Sequence, residues 1–192
     1  MNLSMKCRKV LSFALIAMFL FSMVPLDIFA ESKNSMVKWS AENGDEGINW
    51  FTYAMHFLNG AETRHTDTTY QGKKARNIGT SLGTNDRLAY FEVDDSWYHD
   101  GDETVYATIE YFDFEGVRFR LEYDSILGID TQSRIVQSKG TQQWQKVSIE
   151  LPGARFANKG RFGTDFTIRI LESGTSFYIS NIVLSKQNTE LD

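Results

Sequence analysis

The sequence VYATIEYFDFEGVRFRLEY, residues Val105–Tyr123, contains two runs in which apolar and polar side chains alternate. In Val117–Tyr123 the odd-numbered residues are apolar, whereas arginine and glutamate occupy the even-numbered positions. A period of two is typical of a β-strand with one buried and one solvated face. Val105–Phe112 alternates in the same way, and Asp113–Gly116 predicts a short turn between the two runs. We therefore expect these runs to form a β-hairpin.

Further strands are predicted on both sides of this segment, because β-branched and aromatic residues are concentrated there. The candidates after residue 86 are Arg87–Val93, Ile135–Gln137, Trp144–Leu151, Phe166–Leu171 and Phe177–Leu184. Weaker patterns predict strands at Val37–Trp39, Trp50–Tyr53 and Lys74–Ile78, and a helical turn at Ala54–Asn59. The fold class expected from this spacing is all-β, a single antiparallel sandwich. Its expected core residues are Ile109, Tyr111, Phe119, Leu121, Val147, Ile149, Ile168 and Ile179.

The first thirty residues have the composition of a secretory signal peptide. Lys6, Arg8 and Lys9 precede an apolar run that ends at Val24, and the small residue Ala30 marks a cleavage site. An uncleaved anchor is the alternative, but the apolar run is shorter than the roughly 20 residues that a spanning helix needs. We expect residues 1–30 to be removed and residues 31–192 to form one secreted, extracellular domain without stable membrane insertion.

Composition limits the partners of this domain. The 192 residues carry a net charge of -5, so no cationic stripe is expected and nucleic acid is an unsuitable partner. The single cysteine, Cys7, lies in the predicted signal peptide, so a disulfide or thiolate metal site is not expected in the mature chain. Calcium, which prefers oxygen ligands, is the cofactor that an acidic secreted domain suits best.

Five segments follow one another in an order that resembles a known family. They are AYFEVDDSW (Ala89–Trp97), TVYATIEYFD (Thr104–Asp113), FRLEYDS (Phe119–Ser125), WQKVSIELPGARFAN (Trp144–Asn158) and TDFTIRI (Thr164–Ile170). Together they resemble bacterial secreted β-sandwiches of the carbohydrate-binding-module, galactose-binding-like type. The resemblance implies a jelly roll, binding of a polysaccharide or cell-wall glycan, and a structural calcium ion.

The acidic loop, residues 94–103, concentrates carboxylates and aromatic rings between two predicted strands. Aromatic surfaces beside hydrogen-bonding groups suit sugar recognition, so Trp97, expected to be exposed, and Tyr98 are the first candidates for a carbohydrate site. The alternative is a solvated turn in which Trp97 caps the core. The candidate calcium ligands are the loop carboxylates Asp94, Asp95, Asp100 and Asp102.

The polar side of the predicted hairpin is a second candidate for sugar binding. It offers Tyr106, Arg118 and Arg120 together with Glu110 and Glu122, although an ion-paired solvent face would have the same composition.

Two further residues are interpreted as structural. Trp144 alternates with Val147 and Ile149, which would leave it exposed, but a tryptophan at the start of a strand is more often a rim residue, so Trp144 is expected to seal the rim of the core. Asp165 is expected to accept hydrogen bonds from backbone N–H groups.

The sequence contains no recognisable catalytic motif and no nucleophilic cysteine in the mature chain. The resemblance, the predicted signal peptide and the strand pattern favour non-catalytic glycan binding, and no catalytic residue is assigned. Two other classes stay open. One is a small jelly-roll polysaccharide lyase or glycoside hydrolase, which would need a cleft with convergent titratable groups. The other is a surface adhesion or structural protein, which would need a broad apolar patch.

Overall fold

The computed structural model describes residues 35–50, 65–78, 88–172 and 176–188. These segments form the strands β1 (Met36–Ser40), β2 (Gly44–Glu46), β3 (Ile48–Trp50), β4 (His65–Tyr70), β5 (Lys73–Ile78), β6 (Leu88–Val93), β7 (Val105–Phe112), β8 (Arg118–Ser125), β9 (Gly128–Gln132), β10 (Val136–Gln137), β11 (Trp144–Leu151), β12 (Phe166–Ile170) and β13 (Phe177–Ser185). All of them belong to the compact unit Met36–Asp192. The predicted signal peptide and the helical turn predicted at Ala54–Asn59 lie outside the described residues. Within those residues, no helix is long and apolar enough to cross a membrane.

The strands form two antiparallel sheets. The seven-stranded sheet has the order β11-β7-β13-β1-β2, and β5 also pairs with β13 and carries β4 on its other side. The six-stranded sheet has the order β10-β8-β12-β6-β3, with β9 also paired to β8. Side chains from the two sheets meet in one apolar core. The predicted antiparallel β-sandwich is confirmed.

The core lies between the sheets and is rich in aromatic rings. Tyr111 of the seven-stranded sheet packs edge-on against Phe119 of the six-stranded sheet, with 5.2 Å between ring centroids. Seven of the eight expected core residues are buried, namely Ile109, Tyr111, Phe119, Leu121, Ile149, Ile168 and Ile179. Val147 is only half-buried and packs against the core from β11, the strand at one end of its sheet.

The predicted hairpin is wrong. β7 pairs with β11 and β13 in the seven-stranded sheet, whereas β8 pairs with strands of the six-stranded sheet. The Asp113 carboxylate shows how the chain crosses over, because it accepts hydrogen bonds from the backbone N–H groups of Lys139 and Thr141. These contacts fix the crossing segment to the loop before β11. Alternation predicted correctly which side chains are buried, but it does not specify the partner strand.

The weaker strand predictions near the start of the described chain are confirmed in position. Val37–Trp39 lies within β1 and Lys74–Ile78 within β5. Trp50 lies in β3, and the rest of the predicted strand Trp50–Tyr53 lies outside the described residues. The predictions omitted β2, β4 and β9. Each of these strands has exposed or half-buried side chains along its whole length, so hydrophobic periodicity could not reveal it.

Candidate functional site

The two aromatic rings of the acidic loop face the core. Trp97 and Tyr98 are each 7% exposed and belong to the main hydrophobic cluster. The Tyr98 hydroxyl donates to the carbonyl of Ala154 at 2.9 Å and accepts from the backbone N–H of Glu103 at 2.8 Å. The expectation that the Trp97 ring is exposed is therefore wrong. The N–H of Trp97 donates to the Asp94 carbonyl in a tight turn at the start of the loop.

The carboxylates of the acidic loop mostly bond to protein groups nearby. Asp94 accepts from the N–H of Ser96 at 2.8 Å, and hydrogen bonds from Ser96 lower the pKa of Asp94. Asp95 accepts from the Asn158 side-chain amide at 3.0 Å, and Asp100 pairs with Arg155. Asp102 is exposed. Among the described residues no group of three or more His, Cys, Asp or Glu is placed to hold a metal ion. Calcium binding by this loop stays a prediction.

Asp165 has the structural role expected for it. Its carboxylate is 1% exposed and accepts from the N–H groups of Val93 at 2.8 Å and Asn158 at 2.9 Å. Burial raises the pKa of Asp165 to about 6, although these hydrogen bonds act in the opposite direction. The side chain therefore fixes the point at which β6 enters the acidic loop.

The polar residues expected on one hairpin side lie on two opposite surfaces. Tyr106 and Glu110 project from β7 on the outer face of the seven-stranded sheet, away from the buried residues that alternate with them. Arg118, Arg120 and Glu122 lie on the outer face of the six-stranded sheet. The structure therefore does not bring these candidates into one site.

The outer face of the seven-stranded sheet carries a cluster of rings that we call the aromatic face. Trp144 lies opposite Phe112 in the β11–β7 ladder, with ring centroids 5.6 Å apart and the planes nearly perpendicular. Tyr70, at the end of β4, stacks on Tyr178 with centroids 4.3 Å apart and an interplanar angle of 9°. Phe112 is fully buried and the other four rings are half-buried. The aromatic face consists of Tyr70, Phe112, Phe114, Trp144 and Tyr178.

Charged and polar groups border the aromatic face. The Lys73 ammonium lies 5.4 Å from the Trp144 ring centroid and 2.6 Å from a Glu110 carboxylate oxygen. The Ser180 hydroxyl donates to the second Glu110 oxygen at 2.6 Å. Burial raises the pKa of Glu110, but the hydrogen bonds from Lys73 and Ser180 outweigh it and hold the pKa below its ordinary value. The Trp144 indole N–H is buried without a partner among the described residues, which is unusual in native proteins.

Sequence reasoning did not find this cluster. Tyr70 belongs to a strand whose pattern is polar, and Tyr178 is separated from it by more than a hundred residues. Trp144 was expected to seal the core, but it lies on the outer face of β11. One signal was available: Phe112 and Trp144 both fall on the polar side of their strands' alternation. Large rings at such positions indicate either a covering element or a ligand surface.

A third feature is an open cleft of about 380 Å³ beside β3 and β6. Its lining contains the carboxylates of Asp45, Glu92, Asp94 and Asp95. Burial raises the pKa of Asp45, in contrast to the lowered pKa of Asp94. The cleft therefore holds two carboxyl groups whose proton affinities are shifted in opposite directions.

No protein-family model matches the chain, and no curated protein matches it in sequence. Solved structures are similar to it at low identity. The xylan-binding CBM22-1 domain of Xyn10C from Paenibacillus barcinonensis is 13% identical, with a TM-score of 0.45 over 77% of this chain and 91% of that one. The C-terminal CBM6 of the marine laminarinase LamC from Zobellia galactanivorans is 13% identical, with a TM-score of 0.41 over 78% and 98%. A cyclase from Fischerella sp. TAU is 12% identical, with a TM-score of 0.40 over 78% and 88%.

Carbohydrate-binding modules are thus among the solved structures that this chain is similar to, as the five sequence segments predicted. A cyclase is among them as well, and the similarity is too distant to transfer a function. A function for this protein therefore has to be proposed from its own side chains.

Proposed function

We propose that this protein is a non-catalytic glycan-binding module and that the aromatic face is its binding surface. The observation that carries the proposal is the group of half-buried rings on the solvent side of a sheet, with Lys73 and Glu110 at its border. Trp144, Phe114 and Tyr178 expose part of their area to solvent.

The chemistry of a pyranose ring matches this surface. Its C–H groups pack against an aromatic ring, and its hydroxyls hydrogen-bond with charged neighbours. The rings hold one another in place, because the Tyr70 ring centroid lies 4.8 Å from that of Phe112 and 4.3 Å from that of Tyr178. Rings that are already ordered lose little conformational entropy when a ligand binds.

The test is binding of the protein to a panel of neutral polysaccharides by titration calorimetry. Trp144→Ala and Tyr178→Ala are expected to weaken binding roughly tenfold or more, since aromatic anchors carry most of the energy of such contacts. Trp144→Phe is expected to retain most of the affinity, because it keeps a flat ring at that position. A melting curve for each variant separates lost binding from lost folding.

Tyr106→Ala is the matched control on the same face of the same sheet. Tyr106 lies six residues from Phe112 along β7, about 20 Å away at the usual rise per residue. Unchanged binding in this variant, with loss in Trp144→Ala, places the ligand on the aromatic face. Loss in Tyr106→Ala or Tyr98→Phe alone would instead favour the residues expected from sequence.

One observation favours a second function, hydrolysis of a glycosidic bond. The open cleft is lined by Asp45, Glu92, Asp94 and Asp95, and glycoside hydrolysis uses a pair of carboxyl groups across a cleft. Release of reducing ends from the same panel, abolished by Asp45→Asn, would favour this function over binding alone.

The proposal also includes export of the protein from the cell and binding of calcium, and both parts are supported by the sequence alone. A secreted module meets polysaccharides and cell-wall glycans outside the cell. Including a chelator in the binding assay tests whether the acidic loop contributes through a calcium ion.

A further inference from the structure

The outer face of the six-stranded sheet, on the opposite side of the sandwich from the aromatic face, contains a cluster of guanidinium groups. Arg120 of β8 lies directly opposite Arg169 of β12, and both donate to the same oxygen of Glu122, at 2.6 and 2.7 Å. Arg118 pairs with Glu172 beside them. We call this surface the arginine face; it consists of Arg118, Arg120, Glu122, Arg161, Phe162, Arg169 and Glu172.

The arginine face is positively charged in a protein that is acidic as a whole. Four guanidiniums are accompanied by two carboxylates, whereas the chain has a net charge of -5. Glu92 is also on this side of the sheet, but it lines the acidic cleft near the other end of the strands. The overall composition of the chain, which is acidic, does not explain this local excess of positive charge.

The guanidiniums are held in position and remain accessible. Glu122 is buried, with 6% of its side chain exposed, while the side chains of Arg118, Arg169 and Arg120 are 48%, 32% and 20% exposed. Burial raises the pKa of Glu122, but the hydrogen bonds from Arg169 and Arg120 outweigh it and hold the pKa below its ordinary value, so the carboxylate stays ionised. The buried Glu122 carboxylate thus fixes the positions of the Arg120 and Arg169 guanidiniums.

An exposed aromatic ring borders the same surface. Phe162 is 39% exposed and has a φ angle of 64°, a left-handed conformation that costs free energy for a residue with a side chain. The Arg161 guanidinium lies 5.0 Å from the Phe162 ring centroid, and its Nη1 lies 3.5 Å from the Tyr90 hydroxyl. Tyr90 projects from β6, two strands away from Glu122. Tyr90 and Glu122 are therefore about 10 Å apart across the strands, and Arg118 lies about 13 Å from Glu122 along β8.

We propose that the arginine face is a second ligand site, which binds the carboxylate groups of an acidic polysaccharide. The planar guanidinium matches a carboxylate with two parallel hydrogen bonds. The Arg118 guanidinium already binds a carboxylate of the protein itself: its Nε donates to one oxygen of Glu172, and the backbone N–H of Arg118 donates to the other. A uronate chain would contact Arg118 and Arg161 and place a sugar ring against Phe162. This site is separate from the aromatic face, which lies on the opposite side of the sandwich.

Binding of the full chain to polygalacturonate at low ionic strength tests the proposal. Arg118→Ala and Arg161→Ala are each expected to weaken binding roughly tenfold, because charge-assisted hydrogen bonds are lost. Arg118→Lys keeps the charge but removes the planar fork, so its affinity should fall between those of the wild type and Arg118→Ala. Glu172→Gln should strengthen binding several-fold, since it removes a carboxylate that competes for Arg118.

Two controls separate this site from other effects. Arg155→Ala removes a guanidinium that is paired with Asp100 in the acidic loop, and it should leave the affinity unchanged. Trp144→Ala should also leave polygalacturonate binding unchanged, so this inference can fail or succeed independently of the proposed function. Thermal melts identify any variant that fails to fold. Arg161→Ala, at an exposed position, carries the test if Arg118→Ala does not fold.

Three results would overturn the proposal. The first is absence of polygalacturonate binding by the wild-type protein, or equal binding of neutral dextran. The second is wild-type affinity in both arginine variants, or an equal loss in Arg155→Ala, which would indicate charge attraction without a site. The third is equal affinity for dextran sulfate, which would assign the face to polyanions in general instead of carboxylates.

Discussion

The acidic loop and the aromatic face both combine large rings with charged groups, yet they place the rings in opposite environments. In the acidic loop, Trp97 is 7% exposed and packs with the core, and the carboxylates around it bond to neighbouring protein groups. On the aromatic face, Trp144 lies outside the core, and its ring remains partly in contact with solvent. In the acidic loop a tryptophan closes the apolar core, whereas on the aromatic face a tryptophan is partly exposed to solvent.

This difference shows that position in a loop or a strand does not decide exposure. A loop that turns back over the end of a sandwich buries its apolar side chains there. A strand whose outward positions hold large rings leaves them at the surface unless another element covers them. The β4–β5 hairpin covers the aromatic face only in part, because Tyr70 contacts Phe112 and Tyr178 but leaves Trp144 half-buried.

The largest expected effect is on the stability of the Trp97→Ala variant. Removing a buried tryptophan leaves a cavity and costs about 3 to 5 kcal/mol of unfolding free energy. Trp144→Ala should cost clearly less, because its ring is partly solvated in the folded protein. Urea denaturation of the two variants checks this, and equal losses would contradict the distinction between the two regions.

The sequence predicted the sandwich because its strongest strands alternate cleanly. Phe119 and Leu121 on β8, and Ile109 and Tyr111 on β7, are buried as the period of two requires. The pairing of these strands could not be predicted, because alternation identifies the buried face and says nothing about the neighbour. The predicted hairpin placed Tyr106 and Arg118 on one surface, although in the structure they lie on the opposite outer faces of the sandwich.

The candidate site was harder to predict than the fold for a physical reason. Tyr70, Trp144 and Tyr178 come from distant parts of the chain and meet only through the order β11-β7-β13-β5-β4. Each of them alone resembles an ordinary strand residue. Asp165 was predicted correctly because its contacts are to backbone groups beside a strand end, a local role that sequence can indicate.

Two titratable groups, His65 near the aromatic face and Asp165 beside the acidic loop, should affect stability in opposite directions as the pH changes. His65 begins β4, the strand that ends at Tyr70, and its Nδ1 accepts from the Trp50 indole N–H at 2.9 Å. Burial and the nearby Arg76 lower the pKa of His65 to about 4, from 6.5. The folded protein therefore takes up this proton at lower pH than the unfolded chain does. Its contribution to stability is fully present above pH 6.5 and is lost as the pH falls toward 4.

Asp165 acts in the opposite direction over nearly the same range. Its pKa is about 6 in the folded protein and 3.8 in the reference state, so its contribution is present below pH 3.8 and is lost as the pH rises toward 6. Each shift corresponds to at most about 3.5 kcal/mol. Their opposition predicts a weak dependence of wild-type stability on pH in this range.

Single substitutions should expose the two opposed contributions. His65→Gln keeps a hydrogen-bond acceptor but does not titrate, so its unfolding free energy should fall as the pH rises from 4 to 6. Asp165→Asn should show the reverse slope. Chemical denaturation at several pH values measures both, and curves parallel to that of the wild type would show that these two groups do not control the pH dependence.

The smallest effect concerns the hydroxyl groups of two tyrosines, one from each region. Tyr98→Phe removes a donor to the Ala154 carbonyl and an acceptor for the Glu103 N–H, and the loss of these two bonds should cost about 1 to 3 kcal/mol. Tyr178→Phe keeps the ring that stacks on Tyr70 and should change stability by less than about 0.5 kcal/mol. It should also retain most of the glycan affinity, because the stacking surface is intact. A stable Tyr98→Phe variant would mean that ring packing alone holds the acidic loop, whereas a destabilised Tyr178→Phe variant would show that the aromatic face depends on polar contacts as the acidic loop does.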